Sequence, residues 1–257
     1  MLMPTRYTLS ALAAAAILLV SCTTIEGQAP ATGIAPMPGL GNATFAVTAH
    51  DEQARAWFAQ GLQLLWAFEH PEAVRVFRAA LARDPSCAMC AWGVAYALGP
   101  NINNPDRGPA RDIRRFIERA QQAAAGASPL ERALIQAIAV RHGQAPEKEQ
   151  ALYAAQGASL CSAARPTEPG RKADPQDLAY AAAMADVLRQ FPDDPDVVTL
   201  YADAVMNTMS WEWWDPKTGK PNGGVADVVA RLAATTQQHP RHTGVLHFYV
   251  HIAEHSP

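Results

Sequence analysis

The 257-residue sequence predicts an all-α chain built as an array of helix–turn–helix units. Between Trp57 and Pro85, small and bulky residues fall at fixed intervals: Trp57-x2-Gln60-Gly61-x2-Leu64, then Ala73-x3-Phe77-x2-Ala80-x4-Pro85. This is the spacing of two packed helices, the second ended by proline. Thirty-four residues further on, Ala95 and Leu98 stand where Gly61 and Leu64 stood, which marks a repeat. Alanine-rich runs and regular turn signals fill the chain, and no alternating Val/Thr/Tyr segment suggests a strand.

The elements follow in order. A first helix is expected over 51–68 and a second over 71–83, with Pro71 and Glu72 suited to a helix start. Small Gly61 and Ala73 are expected to face each other where these two helices cross, with Phe77 and Ala80 filling the next groove. A third helix covers 87–98, and after the 99–108 loop its partner carries Ile113, Ile117 and Ala120. Ser128-Pro-Leu-Glu131 is a capping box that opens a helix to Arg141, and a shorter helix follows over 146–161. Helices over 175–191 and 195–209 flank Phe191-Pro-Asp-Asp-Pro195. A loop with Trp211, Trp213 and Trp214 leads to helices at 224–237 and 242–255. The last of these would leave Leu246, Phe248, Tyr249 and Ile252 partly uncovered, so the chain is expected to be part of a longer product.

Arg6, the apolar stretch 9–20 and Leu19-Val20-Ser21-Cys22 read as a secretory signal over 1–21, too short for a membrane span. The last four residues resemble a bacterial lipobox, which implies a lipidated Cys22 at the mature amino terminus. Thr23 after the cysteine points to the outer membrane, so the expected location is the periplasmic side of the envelope. Residues 22–48, rich in Thr, Gly, Pro and Ala, read as a flexible tether before a helical domain over 49–257. Losing residues 1–21 removes one arginine and no acid, which moves the formal net charge from −3 to −4. That mild acidity leaves no basic footprint for nucleic acid. The lipid anchor is the one membrane contact expected.

Five of the eight histidines lie between His239 and His255. His247 and His251, one helical turn apart, share a stripe with Glu254. Two imidazoles and a carboxylate offer donors for a divalent ion, zinc or copper; a polar face of mutually bonded histidines is the other reading. His70, at the turn of the first hairpin, is a further candidate ligand or a surface turn residue. Cys87-Ala-Met-Cys90 opens a helix, where it reads as a disulfide, a metal site or buried thiols. The Trp211/Trp213/Trp214 loop would stack a ligand or fold back over the helices. No residue set for catalysis stands out.

The Trp57–Pro85 spacing resembles a tetratricopeptide repeat. Together with Asp84-Pro-Ser-Cys-Ala-Met-Cys90, Gly99-Pro-Asn-Ile-Asn103 and the histidine helix, it resembles a group of exported bacterial repeat proteins without a known activity. The resemblance covers residues 50–257 and implies the fold, with His70, Cys87, Cys90, His247, His251 and Glu254 as positions of interest. The expected function is a binding or assembly module whose groove takes a protein or peptide; the alternative is a metal-binding protein or metalloenzyme.

Overall fold

Residues 34–41, 44–105, 108–160, 173–209, 211–254 and 256 are described by the structure, a computed structural model. The signal segment and Cys22 lie outside the described residues. Ten α-helices and no strand occur among those described: α1 Glu52–Trp66, α2 His70–Arg83, α3 Ala88–Ala97, α4 Ala110–Ala123, α5 Pro129–Arg141, α6 Glu147–Leu160, α7 Pro175–Gln190, α8 Pro195–Met206, α9 Val225–Gln238 and α10 Thr243–Glu254. The chain is all-α, as its sequence predicts.

Helix starts follow local chemistry. The side chains of Asp51, Asp174 and Asp194 accept backbone N–H groups in the first turns of α1, α7 and α8. Ser128 and Glu131 form the reciprocal capping box of α5. Proline opens α5, α7 and α8, where its missing N–H costs nothing. Neighbours in sequence then pack as neighbours in space: α1 on α2, α2 on α3, α3 on α4, α7 on α6 and α8, and α9 on α8 and α10. In addition, α10 lies against α8 and α1.

Contact with α1 changes the fate of the last helix. Phe248 and Ile252, expected to stay partly uncovered, are 1% and 0% exposed. Phe248 meets Trp66 and Phe68 edge-on at 6.4 and 5.6 Å between ring centroids. Leu246 and Tyr249 remain half-buried.

The expected tether also needs correction. From Ile34 onward the segment lies on the helices, with Ile34 buried and Leu40, Phe45 and Val47 packed against the core. Gln60 donates to the Ala35 carbonyl at 3.1 Å and Thr243 to that of Leu40 at 2.7 Å. Thr44 donates to Asp196 at 2.8 Å, and the Thr48 amide to Glu131 at 2.6 Å. Four apolar residues scattered among Pro, Gly and Thr suffice to dock it, so the folded unit begins at Ile34 rather than at residue 49.

A buried polar layer joins α3, α5, α7 and α8. Arg141 donates to Asp177 at 3.0 Å, lies 4.0 Å from an Asp203 oxygen, and covers the Tyr180 ring at 4.7 Å. Burial opposes its charge, but Asp177 and Asp203 outweigh that and hold the guanidinium more firmly protonated than usual. Asp203 also accepts from Tyr96 and Asn207. Burial nevertheless pushes its carboxyl above the ordinary range.

The first hairpin turns on Phe77, whose ring is held between two glycines. A Cβ on Gly61 of α1 would stand 2.7 Å from this ring, and one on Gly93 of α3 would stand 2.6 Å from it. The demand for a small residue at 61 therefore comes from Phe77, more than from the expected Ala73. Gly61→Ala gains about 0.5–1 kcal/mol of helix propensity, but overpacking of about 1–3 kcal/mol exceeds it. Denaturant unfolding is expected to report a net loss of about 1–2 kcal/mol. A variant as stable as the parent would show that the ring has room to retreat.

Candidate functional site

Helix α1 ends with the Glu69 amide bonded to the Leu64 carbonyl and the Phe68 amide to that of Leu65. This is the Schellman arrangement, whose left-handed position normally falls to glycine. Helix α5 ends in the same way and places Gly143 there, at φ 64°. In α1 the position belongs to Phe68, at φ 61°. A bulky residue there costs on the order of 1 kcal/mol. Among the described residues, the other non-glycine with positive φ is Trp211, at 69°. Both rings touch His251: Phe68 stacks on it at 5.4 Å and Trp211 meets it edge-on at 5.6 Å. Backbone strain at two points far apart in sequence thus converges on one side chain.

The rest of the cluster forms around Phe68. Its ring centroid is 4.5 Å from that of His247 and 5.8 Å from that of His70. The hydrogen bonds assign the tautomers, because carbonyls and carboxylates only accept. His247 Nδ1 is 2.5 Å from the Trp66 carbonyl, His251 Nδ1 is 2.9 Å from Glu254 Oε1, and His70 Nδ1 is 3.0 Å from the Phe68 carbonyl. Each Nδ1 therefore carries the proton, and each Nε2 keeps its lone pair when the ring is neutral. The Nε2 atoms of His247 and His251 face each other at 3.0 Å. Two lone pairs do not sit at that distance unless a proton or a cation lies between them.

This geometry revises the expected ligand set. His247 and His251 converge, whereas Glu254 binds the far nitrogen of the His251 ring instead of the same point in space. A carboxylate three residues along reaches the outer side of the imidazole more readily than its inner edge. His70 contacts the Phe68 ring from the start of α2, with ring centroids 5.8 Å apart, and does not join the facing Nε2 atoms. Among the described residues, no three His, Cys, Asp or Glu side chains form a group able to hold one metal ion. His255 lies outside the described residues.

Cys87 and Cys90 are bonded to each other and fully buried, and Cys87 caps the start of α3. Tyr96, near the other end of that helix, faces Asp203. Beside the Cys87 end, a cleft of about 460 Å³ is lined by Thr48, His50, Ser86 and Arg119. None of the clustered histidines lines it. The tryptophan loop folds back over the helices. The indoles of Trp211, Trp213 and Trp214 donate to the carbonyls of Ile102, Met206 and Ile252 at 2.8, 3.1 and 2.7 Å.

Residues that the sequence does not single out hold the pair in place. His242 caps α10, its Nδ1 accepting the Val245 amide at 3.1 Å, so its Nε2–H donates to Asp196 at 3.1 Å. Asp196 also accepts from the Trp66 indole at 3.1 Å. One carboxylate therefore orients both the helix that carries the two histidines and the residue whose carbonyl fixes His247. Its partners lie 46 and 130 residues away, a separation that no local motif announces.

Comparison with known protein families, curated proteins and solved structures finds no match.

Asp196→Ala would leave the Trp66 and His242 donors buried without acceptors, each at about 1–3 kcal/mol. A loss of about 2–6 kcal/mol is expected, along with weakened ordering of the His247 and His251 rings by NMR. An unchanged unfolding midpoint would mean that these donors find other acceptors.

Proposed function

We propose that this protein is an exported, tetratricopeptide-like repeat protein that binds a divalent transition-metal ion through His247 and His251. The observation that carries this reading is the pair of Nε2 atoms 3.0 Å apart with both Nδ1 protons already committed. Metal-ligating histidines characteristically donate the other ring N–H to a carbonyl or carboxylate, which fixes the tautomer and raises basicity. The Trp66 carbonyl and Glu254 occupy those places. Zinc and copper are the ions that suit imidazole donors.

A protein- or peptide-binding groove is the weaker reading, because the indole N–H groups that would meet such a ligand bond to backbone carbonyls instead. The buried Cys87–Cys90 disulfide supports an oxidising compartment and thus export, with anchoring through Cys22. If so, Cys22→Ala should move the protein from membrane to soluble fractions, and unchanged membrane recovery of a correctly cleaved variant would refute the anchor.

Metal-depleted protein should take up zinc or copper in isothermal titration, less tightly in mildly acidic buffer because protons compete for the ring nitrogens. His247→Ala/His251→Ala should abolish uptake with the helical circular dichroism retained. Glu254→Gln should weaken uptake by about 10–100-fold. Equal uptake by parent and double variant would overturn the proposal and leave the pair as an imidazolium–imidazole hydrogen bond.

A further inference from the structure

We propose that the docked segment, residues 34–41 and 44–48, is a releasable strap whose docking sets the geometry of the His247–His251 pair. The inference concerns the two rings themselves and needs no ion between them.

Two bonds carry the coupling. Thr243, the first residue of α10, donates to the Leu40 carbonyl at 2.7 Å. Thr44 donates at 2.8 Å to one oxygen of Asp196, whose other oxygen meets the Trp66 indole and His242, each at 3.1 Å. The strap therefore grips both the start of α10 and the carboxylate that orients Trp66. His247 Nδ1 bonds the Trp66 carbonyl at 2.5 Å, so its ring registers any shift of α10 against the end of α1. The junction has no slack. A Cβ on Gly244, in the first turn of α10, would stand 2.8 Å from the Thr199 side chain and 3.0 Å from the Trp66 ring. Close packing of this kind transmits a displacement instead of absorbing it.

Release is built into the strap as well. Its bonds to Gln60, Glu131, Asp196 and Thr243 all use side chains of the helical body, so none belongs to a helix's own ladder. Docking also buries a polar group that it does not satisfy. Gln63 is 4% exposed, and neither the nitrogen nor the oxygen of its side-chain amide has a hydrogen-bond partner. Gly41 lies over it, close enough that a Cβ there would stand 3.3 Å from Gln63 Oε1. Water can reach that amide once the strap lifts, which favours the open state.

Apolar contacts oppose release. Leu40, Phe45 and Val47 pack on the core, and the Phe45 ring lies 5.6 Å from that of Phe58. Gly41 is the fitted point of the strap. Its φ is 94°, and a Cβ would stand 2.0 Å from Thr243 Oγ1, so glycine alone seats there. Apolar contact holding the strap down and an unpaired amide beneath it make a local opening that leaves the helices intact.

The test follows amide hydrogen exchange in the strap and the ring nitrogens of His247 and His251 by NMR, in the full metal-depleted chain. Gly41→Ala should speed strap exchange by roughly tenfold or more, and Thr44→Val, which removes the hydroxyl bonded to Asp196, should act in the same direction. Gln63→Met removes the unpaired amide and should slow exchange. The parent should show both rings protonated at Nδ1. The two releasing variants should shift or broaden the His247 signals, and Gln63→Met should sharpen them. Faster strap exchange with unchanged histidine signals would overturn the coupling. Exchange unmoved by Gly41→Ala and Thr44→Val, or raised by Gln63→Met, would overturn the release. If Gly41→Ala does not fold, Thr44→Val decides the matter, since it brings no atom against Thr243. Each of these results leaves the metal-binding reading to its own titration.

Discussion

The Asp196 carboxylate, 1% exposed in the first turn of α8, accepts hydrogen bonds from Thr44, the Trp66 indole and His242. A buried carboxylate is tolerated only when donors surround it, and the amino-terminal end of a helix adds favourable dipole charge. Those donors come from the docked strap, from the end of α1 and from the cap of α10. The demand of one buried group thus joins the first and last described helices, and Phe248 completes the join by packing on Trp66 and Phe68. Everything distinctive about the histidine cluster depends on that junction, because His247 bonds the carbonyl of the same tryptophan.

The cluster also shows where the fold gives up stability. Phe68 occupies a helix-terminal position that Gly143 fills without strain in α5, and Trp211 is the second such outlier. Strain of this sort persists only where surrounding contacts over-determine it, and it concentrates at functional sites. Here the contacts are the Phe68 ring against His247 and His251 and the Trp211 ring edge-on to His251, so both strained residues pack on the histidine pair.

Below the cluster, the Arg141–Asp177–Asp203 layer with Tyr96 and Asn207 shows a different use of buried charge. Its three ionisable groups are paired within the protein, and breaking such a layer by removing one partner is costly even where the whole contributes little to net stability. Burial and Asp203 together push the Tyr96 hydroxyl well above its ordinary range, so it stays a donor. The layer fixes the relation of α3 and α5 to α7 and α8.

Sequence alone determined the helices, because their signals are local: the small-residue spacing of the first hairpin, the Ser128–Glu131 capping box and the proline starts of α5, α7 and α8 each act within a turn or two. It also brought out His247 and His251, since a four-residue interval places two side chains on one face of any helix. Tertiary structure decided which nitrogen of each ring points inward, and it put Glu254 behind the pair instead of beside it. It docked the described residues between 34 and 48, whose few apolar side chains carry no periodic signal, and it buried Phe248 against Trp66 and Phe68 and Ile252 within the core. Phe68 and Asp196 were illegible for the same reason. What they do depends on partners more than a hundred residues away, and nothing in the local pattern of a chain encodes that distance.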